Sequence, residues 1–386
     1  MAVGGASIIP LDEASRVCSQ LRAAIAHDWL VQYAGSERVV EQIRELFPGA
    51  RLMTTLREDQ RLPPTLRCAE TSFLQAIPGA VSHHEWLLPL MPLDWRLRGQ
   101  IDDVDVVISS SHACAKAVRV APGIPHVCYC HTPMRYAWDF ESEAERFPLA
   151  VRPVARQMMV YFRWWDKWTA QAVDLFVANS SAVAARIERY YDCRAIVVHP
   201  PVRTDFFTPA GDRGDFFLYV GRLTGYKRPD LVVEAFRGLR YPLVVVGAGP
   251  LRSELERGAP HNVSFRGSVD DGELRRLYRE ARALVYPVDE DFGITMAEAQ
   301  ACGTPVIALN SGGALDIVAH GTTGWLIPRQ DVVEVRKAVE LVARREFDPA
   351  QISQSAQRFS THQFQIAFLG AVVSAVEARG SRYATT

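Results

Sequence analysis

The chain has little net charge, no apolar run long enough to cross a bilayer and no paired-cysteine signature, and each lack removes a class of function. Its 43 basic and 44 acidic residues leave a formal charge of -1, so no global field draws it to nucleic acid or acidic lipid. An anionic ligand must instead be met by a local group of cations. No uninterrupted apolar stretch reaches the ~18 residues of a spanning helix. Seven cysteines lie scattered at 18, 68, 114, 128, 130, 193 and 302, without the spacing of a zinc site or a disulfide framework. Cys128 and Cys130, two apart in an apolar run, read as core residues on one side of a strand, and a reducing, cytoplasmic compartment fits best. Residues 1–20 lack the basic start and apolar centre of a signal peptide and read as a loosely ordered extension.

What is present is a soluble globular composition, 48% hydrophobic and 23% charged over 386 residues, enough for two or three domains. From Leu21 short apolar runs alternate with longer helical patterns, the rhythm of parallel βα repeats. The expected strands of a first sheet are 23–26, 104–109, 126–130, 175–178 and 195–199. Helices are expected over 36–47 and 180–190, the second capped by Ser180 or Ser181. The rhythm breaks at His199-Pro200-Pro201-Val202 and at 209–212, which reads as a hinge. A second series follows, with strands at 216–220, 243–246, 263–265, 283–286 and 305–308 and helices near 229–238, 271–281 and 293–301.

The most informative segment is Glu290-Asp-Phe-Gly-Ile-Thr-Met-Ala-Glu298. A strand ending near Tyr286 turns through an acidic loop, and a helix opens at about Gly293. Free N–H groups and the macrodipole make such a helix start an anion site, and glycine lets a phosphate come close. Glu290 precedes the helix and Glu298 lies more than a turn inside it, so the two can serve different hydroxyls of one ligand. Taken alone, the segment also reads as a solvated acidic loop. Gly221-Arg222-Leu-Thr-Gly225-Tyr-Lys227 follows the first strand of the second series, and both cationic heads can converge on one diphosphate leaving group. Gly247-Ala-Gly249-Pro250 is too short for a dinucleotide fingerprint. In the first half, Ala34-Gly35-Ser36-Glu37 lies between strand and helix, and His131-Thr132-Pro133 ends a strand at the edge where open α/β sheets bind ligands. Asp103-Val104-Asp105 leads into an apolar strand and reads as a turn, not as a metal-binding Asp-x-Asp element.

In order and spacing these elements resemble the retaining glycosyltransferases of family four, which have the GT-B fold, from Arg22 to about Val372. The E-x7-E pair, the G-R-x4-K element and the run Ala301-Cys-Gly-Thr-Pro-Val-Ile307 carry the resemblance. The first half, through His27-Asp28-Trp29-Leu30 and Tyr129-Cys130-His131-Thr132-Pro133, looks like bacterial members that build surface polysaccharide, several of them mannosyltransferases. The resemblance implies two Rossmann-like α/β domains facing across a cleft. The N-terminal acceptor domain would span 21–205, joined by a helix over 360–386 that crosses back, and the donor domain 206–359. It implies that Arg222, Lys227 and the amides at Phe292, Gly293, Ile294 and Thr295 bind the donor diphosphate. Glu290 would hold sugar hydroxyls, Glu298 the ribose, and Ser268 and Val269 would lie beside the base. His131 would lie near the transferred sugar, and Gly35 would face the diphosphate. The first loop departs from the pattern, having Ala34-Gly35 where the family has two glycines.

The implied reaction is retaining transfer of a hexose, with GDP-mannose the best donor, to a glycan or lipid-linked glycan acceptor. No metal and no cofactor are expected, the nucleotide-sugar being a substrate. A nucleotide-sugar epimerase and a non-catalytic donor-binding subunit share the two-domain shape and are the competing readings. The Trp- and Leu-rich segments 84–98 and 161–168 read either as helices completing the first core or as a peripheral contact with the cytoplasmic face of a membrane.

Overall fold

The computed structural model describes residues 21–140, 152–211 and 213–383; the expected extension over 1–20 lies outside the described residues. The chain forms two compact units, one running through Pro201 and resuming at Phe364, the other spanning Val202–Gln363. The divisions read from sequence were 205/206 and 359/360.

In the first unit, β1 (Ala23–His27), β2 (Arg51–Thr54), β3 (Val106–Ser111), β4 (His126–Cys130), β5 (Leu175–Ala178) and β6 (Ala195–Val197) make one parallel sheet. Its order is β2-β1-β3-β4-β5-β6. Parallel strands are buried on both faces, which is why β1 reads as an unbroken apolar run. Alternation still sorts its side chains. Ile25 joins one core with Val106 and Ile108, while Ala24 and Ala26 join another with Val107. Between β1 and β2 lies α1 (Gly35–Leu46), burying Val39, Val40 and Ile43. After α2 (Arg152–Ala170) and β5 comes α3 (Ser181–Tyr191). Ser180 caps α3, its hydroxyl accepting from Val183 N–H at 3.1 Å.

The two aromatic segments divide between core and surface. Trp95, Phe162 and Trp165 are buried, whereas Trp86, Trp164 and Trp168 are 69%, 62% and 63% exposed. Completing the core therefore accounts for only half of these rings. No described helix is long and apolar enough to cross a membrane.

The second unit repeats the plan with β7 (Phe217–Val220), β8 (Leu243–Val246), β9 (Val263–Gly267), β10 (Ala283–Tyr286), β11 (Val306–Leu309) and β12 (Gly324–Ile327). All are parallel, in the order β9-β8-β7-β10-β11-β12. Helices α4 (Pro229–Ala235), α5 (Arg252–Gly258), α6 (Asp271–Glu280) and α7 (Ile294–Ala301) follow β7, β8, β9 and β10 in turn, and α8 (Val332–Val342) and α9 (Pro349–Ala356) follow β12. Asp270 and Asp331 cap α6 and α8 through Glu273 N–H at 2.8 Å and Glu334 N–H at 2.9 Å. The strand order reverses between β7 and β10, the point where open α/β sheets bind ligands beyond their carboxyl ends. In the first sheet the same reversal falls between β1 and β3.

The last helix, α10 (Thr361–Tyr383), returns to the first unit. Phe364, Phe368, Val372 and Ala375 bury their side chains in the core that holds Ile25 and Val106, with Val376 packed beside them. Arg379 seals its far end on Asp174 at 2.6 Å.

Candidate functional site

At the switch point of the second sheet, the loops after β7 and β10 meet. Lys227 closes the 3-10 turn Gly225–Lys227, whose backbone is fixed by the Tyr219 hydroxyl donating to Lys227 O at 3.0 Å. The Lys227 ammonium donates to the Tyr286 hydroxyl at 2.9 Å and is ion-paired with Glu290 Oε1. Tyr286 in turn donates to the same Glu290 oxygen at 2.9 Å. Burial, then the Glu290 charge, hold the Tyr286 phenol well above its ordinary range, so it stays a donor. Arg222 is exposed and donates to the Tyr226 hydroxyl at 3.1 Å. The Lys227 ammonium lies 5.0 Å from the centroid of the same Tyr226 ring. The two cations expected to converge thus flank one tyrosine, and Glu290, expected to hold sugar hydroxyls, is the counter-ion of Lys227.

The other half of the site is backbone. Gly293 caps α7 with φ +97°, a left-handed conformation that disfavours any side chain. This turn places the amides of Phe292, Gly293, Ile294 and Thr295 at the helix start, a position that favours negative charge. The loop before it is clasped by Ser311-Gly312-Gly313. Gly313 N–H donates to Glu290 O at 2.8 Å and Ser311 Oγ to Asp289 Oδ1 at 3.0 Å. A side chain at Gly312 or Gly313 would fall on the backbone of Glu290 or Phe292. The loop after β8 packs equally closely: a Cβ at Gly247 would fall on the Gly221 carbonyl and one at Gly249 on that of Leu223. These two glycines therefore shape the Arg222 loop by close approach. Gly247 N–H reaches Gly267 O at 2.8 Å, which ties in the turn carrying Ser268 and Val269 after β9.

Glu298 is not part of the Lys227 group. It lies inside α7, is 5% exposed, and accepts from the Tyr278 hydroxyl at 3.3 Å. Its burial leaves little surface for a ribose in this conformation.

The first unit holds the remaining two residues. Gly35 opens α1 behind Ala34, whose N–H donates to Glu37 Oε2 at 2.9 Å. His131 follows β4, held by its N–H to Ser111 O at 2.9 Å and by Asn179 Nδ2 to His131 O at 2.9 Å. Burial, followed by the neighbouring His112 and His27, pushes His131 well below the ordinary histidine range, so the ring is neutral at pH 7. Beside His112 lies Asp28, its Oδ2 3.2 Å from His112 Nδ1. Its carboxylate accepts four backbone N–H groups, from His112, Ala113, Cys114 and Ala115, at 2.6 to 2.9 Å. Burial alone would raise this carboxyl, but His112, His27 and the amides outweigh it and bring it below its ordinary value.

Sequence reasoning missed Tyr286, Tyr226, the Ser311-Gly312-Gly313 clasp, and the group of His27, Asp28, Glu37, Ser110 and His112. His27, Asp28 and His112 had a signal, since each stands at the carboxyl end of β1 or β3 or in the turn after it, whereas Glu37 lies in the first turn of α1. The Asp103-Val104-Asp105 turn is structural, with Asp105 accepting from Arg22 N–H at 2.8 Å.

Residues 203–359 match the family described as "Glycosyl transferases group 1", and residues 57–206 match "Glycosyltransferase Family 4". A D-inositol 3-phosphate glycosyltransferase of Mycobacteroides abscessus is 30% identical over 250 residues, covering 58% of this chain and 54% of that protein. The D-rhamnosyltransferase WbpZ of Pseudomonas aeruginosa is 34% identical over 150 residues, 37% of this chain and 39% of its own. The chain thus spans about half the length or less of these relatives. Anabaena Alr3699/HepE, solved with UDP and glucose, shares the fold with a TM-score of 0.65 at 16% identity, over 93% of this chain and all of its own.

Proposed function

We propose that this chain, a GT-B protein with glycosyltransferase-family sequence through both halves, moves a hexose from a nucleoside diphosphate-sugar to a glycan or lipid-linked glycan. The observation that carries the reading is the assembly of Lys227, Tyr286 and Glu290 beside the start of α7, at the switch point of the second sheet. A diphosphate laid against Phe292–Thr295 takes the helix amides, and Lys227 and Arg222 neutralise the charge that grows as it leaves. These groups perform the leaving-group task with no required metal. Glu290 holds sugar hydroxyls while Lys227 stays beside it. With one oxygen already engaged by Lys227 and Tyr286, Glu290 suits this task better than that of covalent nucleophile.

Transfer then retains configuration. The acceptor hydroxyl attacks the face from which the diphosphate departs, and a donor phosphate oxygen takes its proton. GDP-mannose remains the favoured donor, on the likeness of the first half to mannosyltransferases of surface polysaccharide. The UDP bound by the Anabaena protein makes UDP-sugars the next to try. His131 is assigned to the transferred sugar, Gly35 to the diphosphate, Ser268 and Val269 to the base, and Glu298 to the ribose.

The exposed Trp86, Trp164 and Trp168, with Leu93 and Leu97 also exposed, support a peripheral contact with the cytoplasmic face of a membrane, where a lipid-linked acceptor resides.

The test is incubation with GDP-mannose, UDP-glucose and related donors, with and without a lipid-linked glycan, following free nucleoside diphosphate and the anomeric configuration of the product. Acceptor-dependent release with retention is expected. Sugar conversion without acceptor would instead mark an epimerase, and tight binding without turnover a donor-binding subunit.

A further inference from the structure

Three imidazole rings gather at the carboxyl edge of the first sheet. His27 and His112 lie 5.9 Å apart by ring centroid, His112 and His131 6.2 Å, and His27 and His131 6.4 Å. Among them run two fully buried polar side chains that the transfer chemistry does not use, Ser110 and Glu37.

Ser110 Oγ lies 2.8 Å from His131 Nε2 and 3.1 Å from His27 Nδ1. His27 Nδ1 is also 3.0 Å from the Ser110 carbonyl oxygen, which can only accept. A proton therefore sits on His27 Nδ1 and points at Ser110. The other nitrogen of His27 faces Glu37 Oε1 at 3.8 Å, beyond hydrogen-bond reach, and the second Glu37 oxygen is fixed by the Ala34 N–H at 2.9 Å. The ring is thus oriented by its Nδ1 side. With the His27 N–H directed at it, the Ser110 hydroxyl has one proton to place, and the acceptor in front of it is His131 Nε2. The reverse arrangement, His131 donating from Nε2, would leave a buried hydroxyl proton without an acceptor among the described atoms.

We infer that Ser110, backed by His27, is a positioning residue that holds His131 as the neutral ring protonated on Nδ1, so that His131 meets its ligand as an uncharged N–H donor and not as a base. The ligand class is an oxygen acceptor, a hydroxyl or ring oxygen of the sugar; this clause rests on the assignment of His131 to the transferred sugar, whereas the tautomer stands on the first unit alone. The low proton affinity that burial imposes on His131 agrees with it.

The test is long-range proton–nitrogen NMR on the full chain labelled with 15N-histidine, the His131 signals identified by their loss in His131→Asn. The expected wild-type pattern at neutral pH is a pyrrole-type Nδ1 and a pyridine-type Nε2. In Ser110→Ala the ring should shift toward the Nε2-protonated form, while Ser110→Thr, which keeps the hydroxyl, should retain the wild-type pattern. A wild-type ring protonated on Nε2, or a Ser110→Ala pattern identical to wild type, overturns the inference; should Ser110→Ala fail to fold, the wild-type spectrum decides alone. Turnover tests the underlying assignment separately. His131→Asn, whose amide N–H can stand in for Nδ1–H, should keep at least tenfold more kcat than His131→Gln or His131→Ala, with donor KM little changed. Equal kcat in all three with the expected spectrum would uphold the tautomer and remove His131 from the sugar.

Discussion

Lys227 and Glu290, brought together from the loops after β7 and β10, form a half-buried ion pair with the Tyr286 hydroxyl 2.9 Å from each. The cation assigned to the diphosphate and the carboxylate assigned to the sugar are therefore one unit before any ligand arrives.

Removing the cation tests the first half of that unit. Lys227→Ala should lose most of the thermal shift that a nucleoside diphosphate-sugar confers on the wild type, and kcat should fall by about 10²- to 10³-fold, the usual loss of one preorganised charge-stabilising donor. Differential scanning fluorimetry and a single-donor rate assay measure both.

Removing the carboxylate should act differently. In Glu290→Gln the Lys227 ammonium is freed for phosphate, so affinity for the nucleoside diphosphate alone should hold or rise. The added affinity contributed by the sugar should shrink. Titration calorimetry with the diphosphate and with the intact donor separates the two; a parallel loss of both would mean that Glu290 does not contact the sugar.

The glycines of the loop after β8 set the shape of the site through packing. Gly247, at φ +136° and against the Gly221 carbonyl, should not tolerate a methyl group: Gly247→Ala is expected to cost about 2 kcal/mol or more. Gly225→Ala, with nothing within 4 Å of the added carbon, should be near neutral. Urea unfolding of the pair checks this.

Buried His126 supplies a pH dependence remote from the chemistry. It shares a hydrogen bond with Ser109 Oγ at 2.8 Å, and burial lowers it from 6.5 to about 4. Below its ordinary value the unfolded chain takes up a proton that the fold refuses, so stability rises with pH between those two values. The contribution is complete above the upper one and lost as pH falls through the lower. His126→Gln should lessen the decline in unfolding free energy between pH 7 and pH 5 by on the order of 1 to 2 kcal/mol. An unchanged decline would contradict it.

The exposed tryptophans carry the membrane contact. Wild type should co-sediment with vesicles containing acidic phospholipid at moderate salt, and Trp164→Ala/Trp168→Ala should lose most of that binding while keeping its melting temperature. No binding by the wild type would retire this contact.

Much of the fold could be read from the chain because buried parallel strands are mostly apolar: 126–130, 175–178, 243–246 and 283–286 coincide with β4, β5, β8 and β10. Short or mixed strands were less legible. Arg51–Thr54 and Gly324–Ile327 begin with an exposed arginine and a glycine and carry too little pattern to stand out. The strand expected at 104–109 begins instead at Val106, because Asp105 is held by Arg22 before pairing starts. The helix expected to reach Gly238 ends at Ala235.

The site divides in the same way. Glu290, Lys227 and the start of α7 were legible because each sits in a turn whose residue types name a chemistry. The pairing of Lys227 with Glu290 was not, since it joins residues 63 apart through a tyrosine that ends a strand and looks like core. The link from His27 through Ser110 to His131 was hidden for the same reason: three separate strand ends meet only once the sheet order is known.

The central claim is the location of the donor diphosphate. A crystal structure with a nucleoside diphosphate-sugar bound should show both phosphates within hydrogen-bond distance of the Lys227 ammonium and the amides of Phe292–Thr295. Phosphates found on any other loop, with the Lys227–Glu290 pair untouched, would contradict the account.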